Sequence, residues 1–175
     1  MATPSNREPS ELTKGTIEEL YRRMEKPMFN VVYRQLWDAH EAQDVLQEVF
    51  LQLWRNRRSV RIETASAWLY RSALNLASNR RRFARLRRLV GLESAEDAAP
   101  RASLDEVLEQ GQRATRVRAA VEALPEKLRR ALLLTELSEM SHAEVGRVLG
   151  IPSGTVASRR HLAMRRLGAM LGDSE

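Results

Sequence analysis

Apolar residues recur three or four positions apart along most of this 175-residue chain, and this spacing constrains its fold more than any other feature. It places apolar side chains on one face of a helix, whereas a half-buried strand would need strict alternation. Proline and glycine fall largely between the periodic segments, where they end helices. The pattern therefore predicts an all-α fold.

Charge divides the chain into two basic units separated by an acidic strip. Residues 15–90 carry 15 basic and 8 acidic side chains, residues 91–112 carry 1 and 6, and residues 113–175 carry 11 and 7. Residues 91–103 have no apolar periodicity and have the small, polar composition of a solvated linker. We therefore predict two small helical domains joined by a flexible acidic linker. The predicted units are a polar tail over 1–15, a first domain over 16–90, a linker over 91–103 and a second domain over 104–173.

Composition excludes several kinds of protein. Without cysteine there can be no disulfide, thiolate nucleophile or cysteine-based zinc site, and three scattered histidines are too few for a metal cage, so we expect no metal and no cofactor. No stretch approaches the ~18 apolar residues of a membrane span, so we expect a soluble cytoplasmic protein. The net charge is +6 and all but three of the 29 basic residues are arginine, which makes an acidic polymer the first partner to consider.

In the first domain the periodicity predicts four helices, with Thr16 and Thr64 as N-caps and Pro27 at a helix start. Their predicted bounds are Thr16–Lys26, Pro27–Trp37, His40–Arg55 and Thr64–Leu89. The third of these helices has an apolar stripe opposite a polar face. The stripe contains Ala42, Leu46, Val49, Phe50, Leu53 and Trp54.

The second domain has the pattern of a helix-turn-helix. A helical stripe ends at Pro125, a helix over Glu126–Leu137 follows, and Ser141 and Glu144 form a capping-box pattern. The helix that this box opens should stop at Gly150. A last helix, capped by Ser153 and ending near Met170, should bury Val156, Ala163, Leu167 and Met170. A short helix, a tight turn and an arginine-bearing second helix indicate DNA binding.

Three segments, in order, resemble one known family. They are AHEAQDVLQEVFLQLW (Ala39–Trp54), AWLYRSALNLASNRRR (Ala67–Arg82) and the helix-turn-helix segment over Ala123–Leu167. The chain is similar in them to the bacterial extracytoplasmic-function (ECF) sigma factors, two-domain subunits of RNA polymerase. The resemblance implies a protein that binds core RNA polymerase and directs it to promoter DNA, with an anti-sigma factor as a further partner. It implies no enzymatic activity and no small-molecule substrate.

By this resemblance, the acidic and partly apolar face of the third predicted helix docks on the clamp coiled coil of the largest polymerase subunit. Gln43 stands where the family usually has glutamate, so one charge of that face is missing. The same face could instead be the solvated side of an amphipathic helix. A catalytic carboxylate pair is disfavoured because no nucleophile or phosphate loop accompanies it. The candidate polymerase-binding residues are Asp44, Leu46, Gln47, Glu48 and Phe50.

The fourth predicted helix combines aromatic rings with arginines, which suits single-stranded DNA because rings stack on bases and guanidinium groups hold phosphates. Asn75 and Asn79 lie one turn apart, and the resemblance implies that Asn75 reads a base flipped out of the −10 element. The loop Ser59–Thr64 would close over that base. Six arginines within residues 80–88 predict contact with duplex phosphates. The candidate −10 residues are Trp68, Ser72, Asn75, Asn79, Arg81 and Arg82.

The last helix is predicted to read the −35 element in the major groove. Ala157, Arg160 and Leu162 depart from the family pattern, so the promoter sequence does not transfer with the resemblance. A metal role for His161 is disfavoured because no second ligand lies three or four residues away. The candidate −35 residues are Thr155, Ser158, Arg159, His161 and Arg165, with Arg166 beside Arg165 on the DNA backbone.

Two other kinds of protein share parts of this pattern. A free-standing helix-turn-helix regulator would bind its operator without polymerase. An adaptor would bind proteins through its amphipathic helices, with the arginines serving only solubility. The three matching segments in family order favour the sigma factor over both.

Overall fold

The computed structural model describes residues 12–90 and 107–172, and in these residues it contains seven helices and no strand. The prediction of an all-α fold is confirmed. The predicted linker over 91–103 and most of the predicted tail lie outside the described residues. None of the described helices is long and apolar enough to cross a membrane. The first domain consists of α1 (Lys14–Leu36), α2 (Ala39–Arg55) and α3 (Ile62–Leu89), and the second of α4 (Val107–Ala123), α5 (Glu126–Leu137), α6 (His142–Leu149) and α7 (Ser153–Gly172).

Helix α1 is continuous where the sequence predicted two helices. Its N-cap is Thr13, whose side-chain oxygen accepts the Thr16 N–H at 3.2 Å, so the prediction of Thr16 as the cap is wrong. Pro27 lies inside the helix and not at a start. An interior proline costs about 3 kcal/mol. Burial of Met24 and Met28 against the same core, on either side of Pro27, offsets that cost.

The starts of α2 and α3 differ in how they are capped. Asp38 caps α2, because its carboxylate accepts the Glu41 N–H at 2.9 Å. Helix α3 begins at Ile62, so Thr64 is already helical and is not the predicted N-cap. Its hydroxyl donates instead to the carbonyl oxygen of Arg61 at 3.0 Å.

The three helices of the first domain pack on one another around one apolar core. This packing decides which side of α2 and α3 faces outward, because the buried residues recur at helical spacing. The larger buried side chains include Met28, Val31, Leu46, Val49, Leu53, Leu69 and Leu74.

The capping box predicted at the start of α6 is present. The Ser141 hydroxyl accepts the Glu144 N–H at 3.3 Å, and the Glu144 carboxylate accepts the Ser141 N–H at 2.8 Å. The Ser141 hydroxyl also lies 2.7 Å from Glu144 Oε2, and its hydrogen bond to the carboxylate, together with that from the Ser141 N–H, holds the pKa of Glu144 below its usual value. At the other end, Gly150 has φ 67°, in the left-handed region that glycine adopts without strain, and it ends α6 as predicted.

The turn between α6 and α7 brings two backbone segments very close together at Gly146. The Ile151 N–H donates to the Gly146 carbonyl oxygen at 3.0 Å. A Cβ atom added at Gly146 would lie 2.6 Å from the Ile151 carbonyl oxygen. The turn therefore requires a residue without a side chain at this position.

Helix α7 follows the predicted inner face over most of its length. Val156 and Ala163 are buried, and Leu167 packs against them at partial burial. Two expectations are wrong: Ser153 is the first residue of the helix and not its cap, and Met170 is 39% exposed. The last turn of α7 still contacts α4, since Arg116 Nη2 donates to the Leu171 carbonyl oxygen at 3.2 Å, but the Met170 side chain lies at the edge of that contact.

The two domains contact each other directly. Helix α5 packs on α1, and α6 packs on α3. One cluster of buried apolar residues continues from the first domain into Leu133, Val145 and Val148 of the second. The interface between the domains is therefore part of the core that the structure describes.

Replacing Gly146 with alanine should destabilise the second domain, because its Cβ would collide with the Ile151 carbonyl oxygen in the turn. We expect a loss of about 1–3 kcal/mol in the free energy of unfolding. The matched control is Gly168→Ala in α7, where the new Cβ meets open space and alanine favours the helix by about 0.5–1 kcal/mol. Thermal unfolding followed by circular dichroism should separate the two variants. Equal midpoints would contradict the close approach at Gly146.

Candidate functional site

The outward side of α2 carries four exposed side chains that change from polar to apolar along the helix. Asp44 and Gln47 form the polar half, and Leu51 and Trp54, 54% and 39% exposed, form the apolar half. Spacing of three and four residues places all four on one side of the helix. We call these four side chains the α2 stripe. Large exposed apolar side chains next to polar ones are typical of a protein-docking surface.

Leu46 and Phe50 were predicted to bind polymerase, but neither belongs to the α2 stripe. Leu46 has no exposed area and Phe50 has 7%, because both side chains pack inward. The Phe50 ring meets the Tyr21 ring edge-on, with centroids 4.9 Å apart. Leu46 therefore stabilises the core and cannot contact a partner. Conversely, Trp54 was predicted to belong to the buried apolar face of this helix, and it is 39% exposed.

A shallow apolar groove of about 460 Å³ adjoins the α2 stripe. It runs between α1 and α2, and the side chains along it include Ile17, Phe50, Leu51 and Trp54. The Arg57 guanidinium lies 4.3 Å from the centroid of the Trp54 ring, which restrains the indole. The stripe and the groove together form one largely apolar surface with a polar end.

Arg80 of α3 links its helix to the acidic side of α2. Its guanidinium donates to the Glu41 carboxylate, and Nη2 lies 3.1 Å from Glu48 Oε2. Burial opposes the charge of Arg80, but hydrogen bonds and attraction from both carboxylates raise its pKa. Glu48, predicted for docking, is thus engaged inside the domain. Arg80, predicted among the phosphate contacts, binds carboxylates here.

The α3 residues predicted for the −10 element share one side of that helix at spacings of four, three and four. Asn75 and Asn79 are exposed, and Trp68 and Ser72 are half-buried. Trp68 packs against the core, so only part of its indole faces outward. The Asn79 side-chain oxygen accepts a hydrogen bond from Arg82 Nη2 at 3.3 Å. The four side chains form a row of amide, hydroxyl and ring groups.

The second domain reaches two of the predicted −10 residues. Arg130 Nη1 donates to Asn75 Oδ1 at 3.2 Å. Arg81 is half-buried, which lowers its pKa, and its Nη2 donates to the carbonyl oxygen of Glu122 at 3.2 Å. Arg81 was expected to face duplex phosphate, and in this structure it lies between the domains. Arg82 is exposed as expected.

The end of α3 exposes apolar side chains among its arginines. Phe83, Leu86, Leu89 and Val90 are between 54% and 75% exposed. The helical periodicity did not predict that these four side chains would be exposed. Apolar side chains at these positions would ordinarily be buried, and here they lie exposed among the arginines. This end of α3 is both basic and apolar.

The inward packing of Val156 and Ala163 leaves the opposite side of α7 facing solvent. That side carries hydroxyl, imidazole and guanidinium groups within about four turns, a set that can hydrogen-bond base edges and phosphates. The predicted residues on or beside it are Thr155 and Arg159, which are partly exposed, and Ser158, His161 and Arg165, which are exposed.

One departure of α7 from the family pattern, Arg160, has a structural explanation. The Arg160 guanidinium donates to the Glu136 carboxylate of α5, and this hydrogen bond raises the pKa of Arg160. Arg160 therefore ties α7 to α5 where an apolar residue would pack. Leu162 is 39% exposed on the outward side, among the predicted DNA-reading residues.

The groups gathered on these surfaces are those of binding: carboxylates, amides, guanidinium groups and rings. Within residues 12–90 and 107–172, no three His, Asp or Glu side chains are arranged to hold a metal ion.

A three-helix domain with a candidate docking surface, followed by a helix-turn-helix domain, is the arrangement expected of a DNA-binding protein that also binds another protein. Comparison with known families agrees with this class. Residues 20–98 match Sigma-70 region 2, and residues 114–167 match Sigma-70, region 4. These two matches cover the first domain and the helix-turn-helix.

Characterised relatives identify the family. The chain is 30% identical to the ECF RNA polymerase sigma factor SigW of Bacillus subtilis, over 83% of each chain. It is 34% identical to the RNA polymerase sigma-H factor of Pseudomonas aeruginosa, over 83% of this chain and 81% of that protein. It is also 30% identical to SigE of Mycolicibacterium smegmatis, over 86% of this chain and 59% of the length of that protein. The chain belongs to the ECF RNA polymerase sigma factors, and the family predicted from the three segments is confirmed.

Two solved structures share the fold. CnrH, in complex with the cytosolic domain of CnrY, superposes with a TM-score of 0.70 over 93% of this chain and 92% of that one, at 21% identity. The sigma factor RpoE of Bartonella quintana, solved with the anti-sigma factor NepR, superposes with a TM-score of 0.67 over 93% and 100%, also at 21% identity.

Arg80→Ala should destabilise the first domain, because it removes the guanidinium shared by Glu41 and Glu48. We expect about 1 kcal/mol, or roughly 4–8 °C in the melting temperature of a domain of this size. Arg82→Ala is the matched control, since it removes the same charge from an exposed position on the same helix. Melting at low and high salt should show a difference that shrinks as salt screens the pairs. Identical melting of the two variants would contradict the bridging role of Arg80.

Proposed function

We propose that this chain is a promoter-specificity subunit of bacterial RNA polymerase that acts in the cytoplasm. The first domain, residues 16–90, binds core polymerase and opens and reads the −10 element. The second domain, residues 104–173, reads the −35 element. The chemistry of RNA synthesis belongs to the polymerase.

The observation that carries this proposal is the α2 stripe. A regulator that binds its operator as a monomer does not need an exposed leucine and tryptophan beside a carboxylate, whereas a polymerase subunit must dock on another protein. Leu51 and Trp54 supply the apolar area from which most affinity comes, and Asp44 supplies charge complementarity to a basic partner. Gln47, the other polar member of the stripe, can hydrogen-bond to the partner at the rim of the contact.

The row of side chains on α3 supports contact with single-stranded DNA. An asparagine amide offers both a donor and an acceptor, so Asn75 and Asn79 can each pair with a base edge. Extrusion of a base costs a few kcal/mol. Stacking on the exposed part of Trp68 and hydrogen bonds to the base edge must offset that cost. In this proposal the loop Ser59–Thr64, which leads into α3, closes over the base. The exposed Arg82 holds phosphate.

The outward side of α7 supports major-groove contact. Residues early in a recognition helix approach base edges, which suits Thr155, Ser158 and Arg159. Arg159 can fork onto the O6 and N7 atoms of guanine. His161 faces the same side, and Arg165 lies two turns further from the helix start than Ser158, where it contacts phosphate.

We also propose that an anti-sigma factor controls this chain. The complex of Bartonella quintana RpoE with NepR shows that a protein of the same fold is bound by such an inhibitor. The apolar groove beside the α2 stripe gives an inhibitor a surface that overlaps the proposed polymerase contact. Binding there would exclude core polymerase by direct competition.

Two rival functions predict different behaviour. A free-standing helix-turn-helix regulator binds its site without polymerase, whereas a sigma factor of this kind binds promoter DNA well only within holoenzyme. A protein adaptor binds independently of salt, whereas phosphate contacts make DNA affinity fall steeply as salt rises.

The test of the proposed function is run-off transcription with core polymerase on genomic fragments, followed by mapping of the start sites. Start sites that share −10 and −35 elements, and that appear only when the chain is added, would support the proposal. Sequence-specific DNA binding without core polymerase, and no transcription with it, would favour the free-standing regulator.

Asp44→Arg should weaken association with core polymerase about tenfold, because it replaces attraction to a basic partner with repulsion. Asp44 is exposed, so folding should be unaffected. Glu19→Arg makes the same charge change at an exposed position of α1 outside the α2 stripe and the groove. Binding of each variant to immobilised core polymerase, beside a circular dichroism melt, checks the prediction. Equal weakening by both variants would remove the docking assignment.

Arg159→Ala should relax selection at one or two −35 positions, by about 1–3 kcal/mol if Arg159 contacts guanine through two hydrogen bonds. Arg160→Ala removes the same side chain one residue along, but Arg160 binds Glu136, so base selection should be retained. Holoenzyme binding to a library of −35 variants separates the two effects. If Arg159→Ala weakens every library member alike, Arg159 is a phosphate contact instead.

A further inference from the structure

The row of proposed −10 residues on α3 does not end at Asn79. Continued in steps of four, three and four residues, the row reaches Phe83, Leu86 and Val90 on the same side of the helix. Val90 directly follows α3, and its N–H donates to the Leu86 carbonyl oxygen at 3.1 Å, which continues the helical turn. The row is therefore polar in its first half and apolar in its second half.

The residues that the structure describes leave this second half largely exposed to solvent. Phe83 is 61% exposed, Leu86 54% and Val90 60%, and the neighbouring Leu89 is 75% exposed. We call these four side chains the apolar end of α3. Contiguous large apolar side chains on a protein surface are typical of a binding site.

Arginines border the apolar end of α3. Arg80 and Arg81 bind carboxylate and carbonyl oxygens of the protein, whereas Arg82 and Arg85 are exposed beside the apolar side chains. The stretch over residues 79–90 contains no acidic side chain. The surface therefore combines positive charge with apolar area, which suits a polyanion that also presents apolar groups.

The major groove of duplex DNA presents both kinds of group. Phosphates line its two edges, and each thymine places a C5-methyl group on its floor. The groove is wide enough to admit an α-helix. Apolar side chains such as Phe83 and Leu86 can contact the methyl groups, while guanidinium groups such as those of Arg82 and Arg85 bind phosphates.

The position of the apolar end along α3 favours DNA over a protein partner. An α-helix rises 1.5 Å per residue, so Phe83 and Leu86 lie about 12 and 16 Å beyond Asn75 along the axis. Successive nucleotides of one strand are about 3.4 Å apart, so these distances correspond to roughly three to five base steps. In the proposed function Asn75 meets the flipped base. DNA that continues along the same side of α3 therefore passes directly over Phe83 and Leu86.

We infer that the apolar end of α3 is a further sequence-reading element: it lies in the major groove of the duplex beside the melted −10 segment and selects thymine through its C5-methyl group. Phe83 and Leu86 contact the methyl groups, and Arg82 and Arg85 hold the flanking phosphates. The inference rests on the proposed function, because it takes Asn75 as the −10 reader. It assigns base selection to residues outside α7 and beyond the polar half of the α3 row.

The experiment measures holoenzyme binding to a promoter library randomised in the duplex base pairs that adjoin the −10 element. The promoter is one found by start-site mapping. The parent protein should enrich thymine at one or two of these positions, on either strand. Replacement of an enriched thymine with uracil removes only the methyl group, and it should weaken binding about fourfold.

Phe83→Ala combined with Leu86→Ala should abolish the enrichment and make thymine and uracil equivalent. Both side chains are exposed, so folding should be unaffected. The matched control is Met170→Ala, which truncates another exposed apolar side chain, and it should retain the preference for thymine. Affinity for immobilised core polymerase is measured in parallel for each variant.

Equal binding of thymine and uracil by the parent holoenzyme would overturn the inference, whatever the variants do. A double variant that keeps the thymine preference but binds core polymerase weakly would overturn it too, and would assign the apolar end to protein docking. Absence of any core-dependent DNA binding would overturn the proposed function and this inference with it. The first two outcomes occur with an active holoenzyme, so the two failures are distinguishable.

Discussion

One buried guanidinium group, that of Arg129, connects parts of the molecule that are far apart in sequence. It donates at 3.1 Å to the carbonyl oxygens of Glu122 and Leu124, between α4 and α5, and to Gln35 of α1. Burial lowers the pKa of Arg129 to about 10, which still leaves it charged at neutral pH. A buried charge must keep its hydrogen bonds. The α4–α5 turn and the α1–α5 contact between the domains therefore depend on one another.

The abundance of arginine has two physical consequences in this fold. The positive charge attracts nucleic acid, and the planar donors also satisfy carbonyl groups at helix ends, as Arg71 does for α6 and Arg81 for α4. Both uses draw on the same N–H groups, so a guanidinium N–H that binds a carbonyl oxygen is not free for phosphate. Arg80 and Arg160 are further cases, since each binds a carboxylate inside its own domain. A count of arginines thus overstates how many are available to phosphate.

The candidate docking surface shows where periodicity stops being informative. Asp44 and Gln47 were predicted correctly as outward-facing, because they lie on the side of α2 opposite its buried apolar residues. Leu46 was predicted both for the apolar stripe and for polymerase binding, and its full burial agrees with the first placement; Trp54 was predicted for the same stripe and is 39% exposed. A position near the edge of a stripe is buried only where a neighbouring helix covers it, and the spacing within α2 does not say where α1 lies. Leu51, the remaining apolar member of the α2 stripe, was missed for the same reason.

The sequence by itself determined the helical class, the helix-turn-helix, the capping box at Ser141 and the stop at Gly150. Each depends on features local to a few residues: the spacing of apolar residues, a side chain that binds a nearby backbone N–H, or a glycine that adopts a left-handed φ. Only the tertiary structure decided that α1 continues through Pro27 and that Arg130 meets Asn75. Both outcomes depend on the free energy of contacts between distant segments, here burial on either side of the proline and hydrogen bonds between the domains. A local pattern contains no information on those contacts, because the partner lies in another helix.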